Sequence, residues 1–212
     1  MSMPSGIVPL LPNKLENSER YHHSSMIMHQ LVYHPLQARH AFLAILKRFP
    51  HDLTVIDELR TILIELSDLE TCATLFQQAF DHYQTVYPSG RGQDPSSSAE
   101  ISGGGFSLME ILVLADLYNT LGEHERAIDV IRKGCRWLQG RAEQKYWDVC
   151  EDDREYDLRE GEGRVGSGRD GEVAPGMYPL DVNARHRLAV ARIKMGDIDE
   201  GKVCIGMPCL WS

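Results

Sequence analysis

Carboxylates that could bind a metal ion lie close together after position 152. Asp153, Glu155 and Asp157 have the first three spacings of a calcium-binding loop, in which oxygen atoms at alternate positions coordinate the ion. Such a loop also needs a glycine for its sharp turn and a glutamate as its last ligand. The chain has Leu158 and Arg164 at these two positions, so we expect no calcium site.

Glycines at 161, 163 and 166 match the G-x-G-x-x-G spacing of dinucleotide-binding loops. In those proteins the loop follows a buried strand and opens a helix, so that backbone amides hold the pyrophosphate. Here the glycines follow Arg159-Glu160 and lead into Ser-Gly-Arg-Asp, which predicts neither element. We therefore expect no cofactor.

Catalytic groups are not visible elsewhere in the sequence. No serine or cysteine stands in a nucleophile elbow, and the nine histidines are scattered without metal-ligand spacing. The odd cysteine count and the lack of a Cys-x-x-Cys pair predict reduced thiols, with neither a disulfide framework nor a zinc site. We expect no enzyme activity and no bound metal. The cysteines are Cys72, Cys135, Cys150, Cys204 and Cys209.

Aromatic, basic and acidic residues between 136 and 157 are the candidate interaction residues. Two tryptophans are expected near a helix end, where packing is their usual role. The flanking arginines could pair with the acidic residues or stack on the indole rings. The acidic stretch is a solvated face or a linker start, or else a patch that speeds encounter with a basic partner; replacing Asp152 and Asp153 by asparagine would then slow association. The candidates are Arg136, Trp137, Arg141, Trp147, Asp152, Asp153, Arg154 and Asp157.

Apolar residues elsewhere recur at intervals of three and four, which predicts amphipathic helices and an all-α fold. The clearest pair of helices spans 108 to 139 and has the residue spacing of a tetratricopeptide repeat. Small side chains at Ala115 and Ala127 let two antiparallel helices approach closely, and Gly122 supplies the turn between them. The larger residues that fill the groove are Leu114, Tyr118 and Ile131.

Weaker copies of this pattern precede and follow that pair of helices. Because each helix pair of a solenoid buries its apolar face only against its neighbours, and the last copy lacks a cap, we expect a piece of a longer helical-hairpin solenoid. A weak helix from about 25 to 33 is predicted to begin the first copy, whose second helix ends at Pro50. The apolar positions of the copies are Ala38 and Phe42; Ile56, Leu59 and Leu63; Cys72 and Phe76; and Leu188 and Ala189.

Two segments rich in glycine, serine and charged residues predict flexible insertions between the helices. The expected organisation is a disordered lead-in at 1–20, tetratricopeptide-like helices at 21–87, a flexible loop at 88–105, a repeat with the candidate run at 106–158, a Gly-rich acidic loop at 159–176, the start of a further repeat at 177–201 and an atypical tail at 202–212.

The balance of charge and hydropathy limits the class of partner. The 22 Lys and Arg residues against 31 Asp and Glu residues give a net charge of −9, so the whole chain should not be drawn to nucleic acid. The only apolar run near the N-terminus, Ile7 to Leu11, is too short for a signal peptide. No apolar stretch is long enough to span a membrane. We expect an aqueous, reducing compartment.

Three elements follow one another at fixed distances: Arg136-Trp137-Leu138-Gln139-Gly140-Arg141, then Tyr146-Trp147-Asp148, then Asp152-Asp153-Arg154-Glu155-Tyr156-Asp157. This arrangement resembles the large tetratricopeptide subunit of RNA polymerase III transcription factor C (TFIIIC), and the resemblance covers roughly Gln37 to Asp199. It implies a nuclear scaffold that helps to assemble the factor on transfer RNA and 5S ribosomal RNA genes. The implied partners are other TFIIIC subunits and the TATA-binding initiation factor (TFIIIB). We expect no direct sequence-specific contact with nucleic acid, no membrane and no small-molecule substrate.

Two other classes of protein remain open from the sequence. The first is another tetratricopeptide adaptor, such as a co-chaperone that clamps a peptide's C-terminal carboxylate with lysines and asparagines on its inner helix faces. The clearest repeat instead offers Leu112 and Asp116 there. The second is an enzyme with an appended helical domain, for which these residues supply no catalytic module.

Overall fold

The computed structural model describes residues 34–93, 100–150, 153–156 and 180–205. Most of these residues lie in seven α-helices, and they fall into two compact units that meet in sequence between Ser67 and Asp68. None of the described helices has the length and apolar character needed to cross a bilayer. The helices are α1 Pro35–Arg48, α2 Leu53–Glu65, α3 Leu69–Val86, α4 Leu108–Leu121, α5 His124–Leu138, α6 Val182–Met195 and α7 Ile198–Ile205.

The described part of the first unit consists of α1 and α2, which pack against each other. Pro35 begins α1, where its missing N–H costs no helical hydrogen bond. The Asp52 side chain caps α2 by accepting a hydrogen bond of 3.3 Å from the Val55 N–H. The apolar positions predicted for these helices are buried, which confirms their assignment to the core faces: Ala38, Phe42, Ile56, Leu59 and Leu63.

The second unit contains α3 to α7, and each of these helices packs against the next. A capping box begins α4: the Ser107 hydroxyl accepts from the Met109 N–H, and the Glu110 carboxylate accepts from the Ser107 N–H. Gly122 ends α4 in the left-handed conformation, with φ at 81°, so the chain reverses directly into α5. The predicted groove and close-approach positions are buried: Leu114, Ala115, Tyr118, Ala127 and Ile131.

A short β-ladder lies in the segment predicted as a flexible loop. Strand β1 (Arg91–Gln93) pairs antiparallel with β2 (Glu100–Ser102), with Gly92 opposite Ile101, and a 3-10 turn follows at Gly103–Gly105. Strands of three residues offer too few positions to show alternation in a sequence. Apart from this ladder, the regular secondary structure of the described residues is helical, as predicted. The predicted lead-in 1–20, helix 25–33, loop 159–176 and the end of the tail from 206 lie outside the described residues.

Replacing Gly122 by alanine tests the turn between α4 and α5. Gly122→Ala should lower the free energy of unfolding by about 1 kcal/mol, because a β-carbon disfavours the left-handed conformation. Apart from the adjoining backbone, no atom lies within 4 Å of the new β-carbon, so the cost comes from the backbone conformation alone. Denaturant unfolding monitored by circular dichroism measures it. Thr120→Ala, an exposed change on α4, should stay within about 0.5 kcal/mol of the parent. Equal stabilities for the two variants would contradict this account.

Candidate functional site

The run from Arg136 to Arg141 forms the end of α5 and the turn after it. The helix ends at Leu138, and Gly140, with φ at 72°, turns the chain back so that the Arg141 N–H donates to the Arg136 carbonyl at 2.7 Å. This turn places the guanidinium of Arg141 on the same side as that of Arg136, since both contact Glu155. Both arginines are buried, and so is Trp137 between them.

Trp137 joins the end of α5 to the segment after α3. Its indole N–H donates to the Tyr87 carbonyl at 2.7 Å, and its ring packs edge-on against Phe80 with centroids 6.0 Å apart. At Gly90 the backbones approach closely, because a β-carbon there would lie 1.8 Å from the Trp137 carbonyl oxygen. Any side chain at position 90 would therefore force the two segments apart. The packing interpretation of Trp137 is confirmed.

Two arginines of α5 hold the next segment of the chain by its backbone. Arg132 donates to the carbonyls of Trp147 and Cys150, and Arg136 donates to the Gln144 carbonyl at 2.9 Å. Arg136 also pairs with the Asp148 carboxylate. These bonds fix the 3-10 turn Lys145–Val149 with the Trp147 side chain buried. A guanidinium suits this task because its five donors point in fixed directions.

After the 3-10 turn Lys145–Val149, the chain carries two carboxylates that are buried among four arginines. Asp153 is 2% exposed and pairs bidentately with Arg192 through bonds of 2.9 and 3.0 Å. Glu155 is 3% exposed and lies 3.3 Å from Arg141. It also lies 3.7 Å from both Arg132 and Arg136, and Arg132 reaches Asp153 at 3.4 Å. We call these residues the buried ion cluster: Arg132, Arg136, Arg141, Asp153, Glu155 and Arg192.

Helices α6 and α7 complete the surroundings of the segment 153–156. Arg185 of α6 donates to the Tyr156 carbonyl at 3.0 Å, and Glu200 of α7 accepts from the Asp153 N–H at 2.8 Å. The Tyr156 hydroxyl donates to the Arg132 carbonyl at 2.9 Å on α5. The short segment is thus bound by side chains and backbone groups of three helices.

Burial controls the protonation of the groups in this region. It raises the pKa of the Glu155 carboxyl above its usual value, although Arg136, Arg141 and Arg132 each favour the charged form. Burial also raises the pKa of the Cys135 thiol to about 12, and the carboxylate of Glu155 adds to this shift. The pKa of the Cys204 thiol is raised by burial and by Asp153. Cys135 and Cys204 are therefore not arranged as nucleophiles.

Three groups near α7 meet the distance requirement of a metal site but not its chemistry. Donor atoms of Asp153, Glu200 and Cys204 lie within 4.8 Å of one another. Both carboxylate oxygens of Asp153 already accept from Arg192, and the Cys204 thiol lies 3.5 Å from one of them as a donor. A cation would have to displace a bidentate guanidinium and deprotonate a thiol of raised pKa. The geometry favours the ion pairs.

The structure corrects one interpretation of the acidic stretch. A solvated face and an exposed patch are both wrong for Asp153 and Glu155, because these carboxylates are buried by the arginines that neutralise them. Of the two alternatives left open for Arg136 and Arg141, pairing with the acidic stretch or stacking on the indole rings, the structure shows the pairing, with Glu155. Asp152 and Asp157 lie outside the described residues, and only the backbone of Arg154 is described. Slower association after replacing Asp153 therefore no longer follows from the patch interpretation.

Sequence reasoning did not select Arg132, Arg192 or Glu155. Arg132 follows Ile128 by four positions and precedes Arg136 by four, so it stands on the apolar face of α5. An arginine on the core face of a helix signals a buried ion pair, because an unpaired charge there is costly. Arg192 has a similar position on α6. It follows the buried residues Leu188 and Ala191 and precedes the end of the helix.

The comparison with known proteins agrees with the class of protein that the sequence resembles. No family model matches the chain. The chain is similar to transcription factor tau subunit sfc4 of Schizosaccharomyces pombe. The two are 25% identical over 167 residues, which cover 79% of this chain and 16% of the yeast protein. The chain thus spans about one sixth of its relative. In this coarse form, the predicted relationship to a transcription factor subunit is confirmed.

Removing one partner of the buried ion cluster should be strongly destabilising. Arg192→Ala leaves Asp153 charged and without its bidentate partner, so we expect the free energy of unfolding to fall by about 3–5 kcal/mol. Arg187→Ala is the matched control, because Arg187 also lies on α6 but pairs at the surface with Asp116 at 2.8 Å. That change should cost less than about 1 kcal/mol. Comparable losses in urea denaturation would show that burial of the pair does not matter.

Glu155→Gln tests the raised pKa through the pH dependence of stability. A carboxyl whose pKa is higher in the folded than in the unfolded chain stabilises the fold most below its unfolded pKa, and this contribution is lost as pH rises through the folded value. The parent should therefore lose stability relative to Glu155→Gln as the pH rises from about 4 through the raised folded pKa. Urea titrations at intervals of one pH unit measure the difference. A relative gain by the parent over this range would mean that the arginines lower the pKa.

Proposed function

We propose that this chain is part of a scaffold subunit of TFIIIC, which serves transcription by RNA polymerase III. The similarity to a transcription factor subunit over 79% of the chain is the observation that carries the proposal. The described residues between Arg136 and Tyr156 support it, because buried ion pairs among them connect the helices and none of these described residues is arranged for catalysis. On this proposal the protein acts in the nucleus and is not an enzyme.

A tetratricopeptide solenoid is the architecture we propose for the scaffold. In its support, α4 and α5 form an antiparallel hairpin around Ala115 and Ala127, and α6 and α7 follow the same order around a second glycine turn at Gly196. Helix α5 packs against α6, as expected where one helix pair stacks on the next. Such a stack presents extended surfaces to other proteins.

Proteins are the partners we propose for these surfaces: other TFIIIC subunits and the TFIIIB initiation factor. Four arginines of the second unit are buried in ion pairs and are not available to phosphates. Binding of nucleic acid depends on basic groups that reach the phosphate backbone. We therefore assign to this chain the assembly of the complex, and the reading of bases to its partners.

Affinity purification of the tagged chain from nuclei of cells that express it tests the proposal. We expect the captured proteins to include subunits of the RNA polymerase III factors, identified by mass spectrometry, and the fluorescently tagged chain to accumulate in the nucleus. A chaperone peptide with a free C-terminal carboxylate is the comparison ligand, and calorimetry should detect no binding. Asp116, which the sequence places on the inner face, is acidic and pairs with Arg187. Capture of chaperones without polymerase III factors would replace the proposal by the co-chaperone alternative.

A further inference from the structure

The segment Asp153–Tyr156 connects two successive helix pairs of the second unit. It contacts α5 through Glu155 and the Tyr156 hydroxyl, α6 through Asp153 and the Tyr156 carbonyl, and α7 through the Asp153 N–H. Three residues of this segment, Asp153, Glu155 and Tyr156, therefore bridge the α4–α5 pair and the α6–α7 pair. Every one of these contacts is an ion pair or a hydrogen bond.

Directional contacts constrain orientation more tightly than apolar packing does. The two parallel bonds of the Arg192–Asp153 pair need both groups to lie in nearly one plane, so a small rotation of α6 against the segment would break one of them. Both groups are buried, and a misplaced charge would remain without water to solvate it. Apolar side chains, by contrast, can repack after a rotation at small cost.

We propose that the Arg192–Asp153 pair is an orientation device that fixes the angle between the α4–α5 and α6–α7 helix pairs. Glu155 anchors the other side of the same segment to α5 through Arg132, Arg136 and Arg141. The surface that the two helix pairs present to a partner then depends on the buried Arg192–Asp153 pair, which the partner itself does not contact. This last step rests on the proposed scaffold function, whereas the orientation itself does not.

The effect on orientation can be separated from the effect on stability. Replacement of a buried ion pair by apolar residues of similar size often leaves stability unchanged or increases it, because the cost of desolvating two charges is removed. The double variant Asp153→Leu with Arg192→Met should therefore keep its helical circular dichroism, with a thermal midpoint not more than about 5 °C below that of the parent. In this variant, the angle between the α4–α5 and α6–α7 helix pairs should no longer be fixed.

Distance measurements by pulsed electron resonance test the constraint directly. Spin-labelled non-canonical amino acids at Glu125 on α5 and Asp199 on α7 report on the two helix pairs without touching the native cysteines; both sites are exposed. The parent should give one narrow distance distribution. In the double variant, the distribution should broaden or shift by several ångströms.

The matched control removes an exposed ion pair that joins the same two helix pairs. Asp116 on α4 and Arg187 on α6 pair at 2.8 Å, and the Asp116 side chain is 51% exposed. Asp116→Leu with Arg187→Met should leave the distance distribution as narrow as in the parent. Arg192→Lys is a milder variant that keeps the charge and loses the bidentate geometry. It should broaden the distribution, and it carries the test if the Leu–Met variant fails to fold.

An unchanged distribution in the folded variants of the buried pair would overturn the orientation device. Equal broadening in the exposed-pair control would do the same, because the effect would then not depend on burial. Capture of polymerase III factors by each variant tests the functional step separately. We expect the buried-pair variants to lose capture by about tenfold or more, which corresponds to a loss of roughly 1.4 kcal/mol in binding free energy. Failure of the parent to capture these factors would contradict the proposed function and leave the orientation result intact.

Discussion

The bidentate pair between Arg192 and Asp153 is the contact on which the angle between the α4–α5 and α6–α7 helix pairs depends. It draws a short, highly charged segment into the protein, where charges are stable only when paired. Once Asp153 is held, Glu155 lies two residues away among three further arginines. The backbone between them is then close enough for α7 and α5 to bond to it as well.

The run at the end of α5 has two sides with different physical roles. Trp137 contacts the earlier part of the unit through the Tyr87 carbonyl and the ring of Phe80. Its neighbour Arg136 contacts the later part through Gln144 and Glu155. Adjacent positions on a helix point about 100° apart, so consecutive residues can face different segments. The run therefore ties the segment after α3 to the segment between α5 and α6.

Helix positions and the turn at Gly122 could be predicted because they depend on local patterns. The periodic spacing of Leu114, Tyr118 and Ile131 places these residues in the core whatever their partners are. The burial of Asp153 and Glu155 could not be predicted in the same way. Their arginine partners lie as much as 39 positions away in sequence, and a stretch of mixed charges read by itself is typical of a solvated surface. Charge pairing at such separations is a property of the fold.

The close approach at Gly90 limits how this run could be moved to another helical protein. The Trp137 carbonyl lies where a side chain at position 90 would begin. The end of α5 that carries Trp137 and the distant Gly90 therefore form one unit of structure. A graft of the run onto a different helix would need a glycine at the matching place in the preceding connection. Repeats are often assumed to be modular, but the segment with Trp137 and the segment with Gly90 are not. They can be inherited or engineered only together.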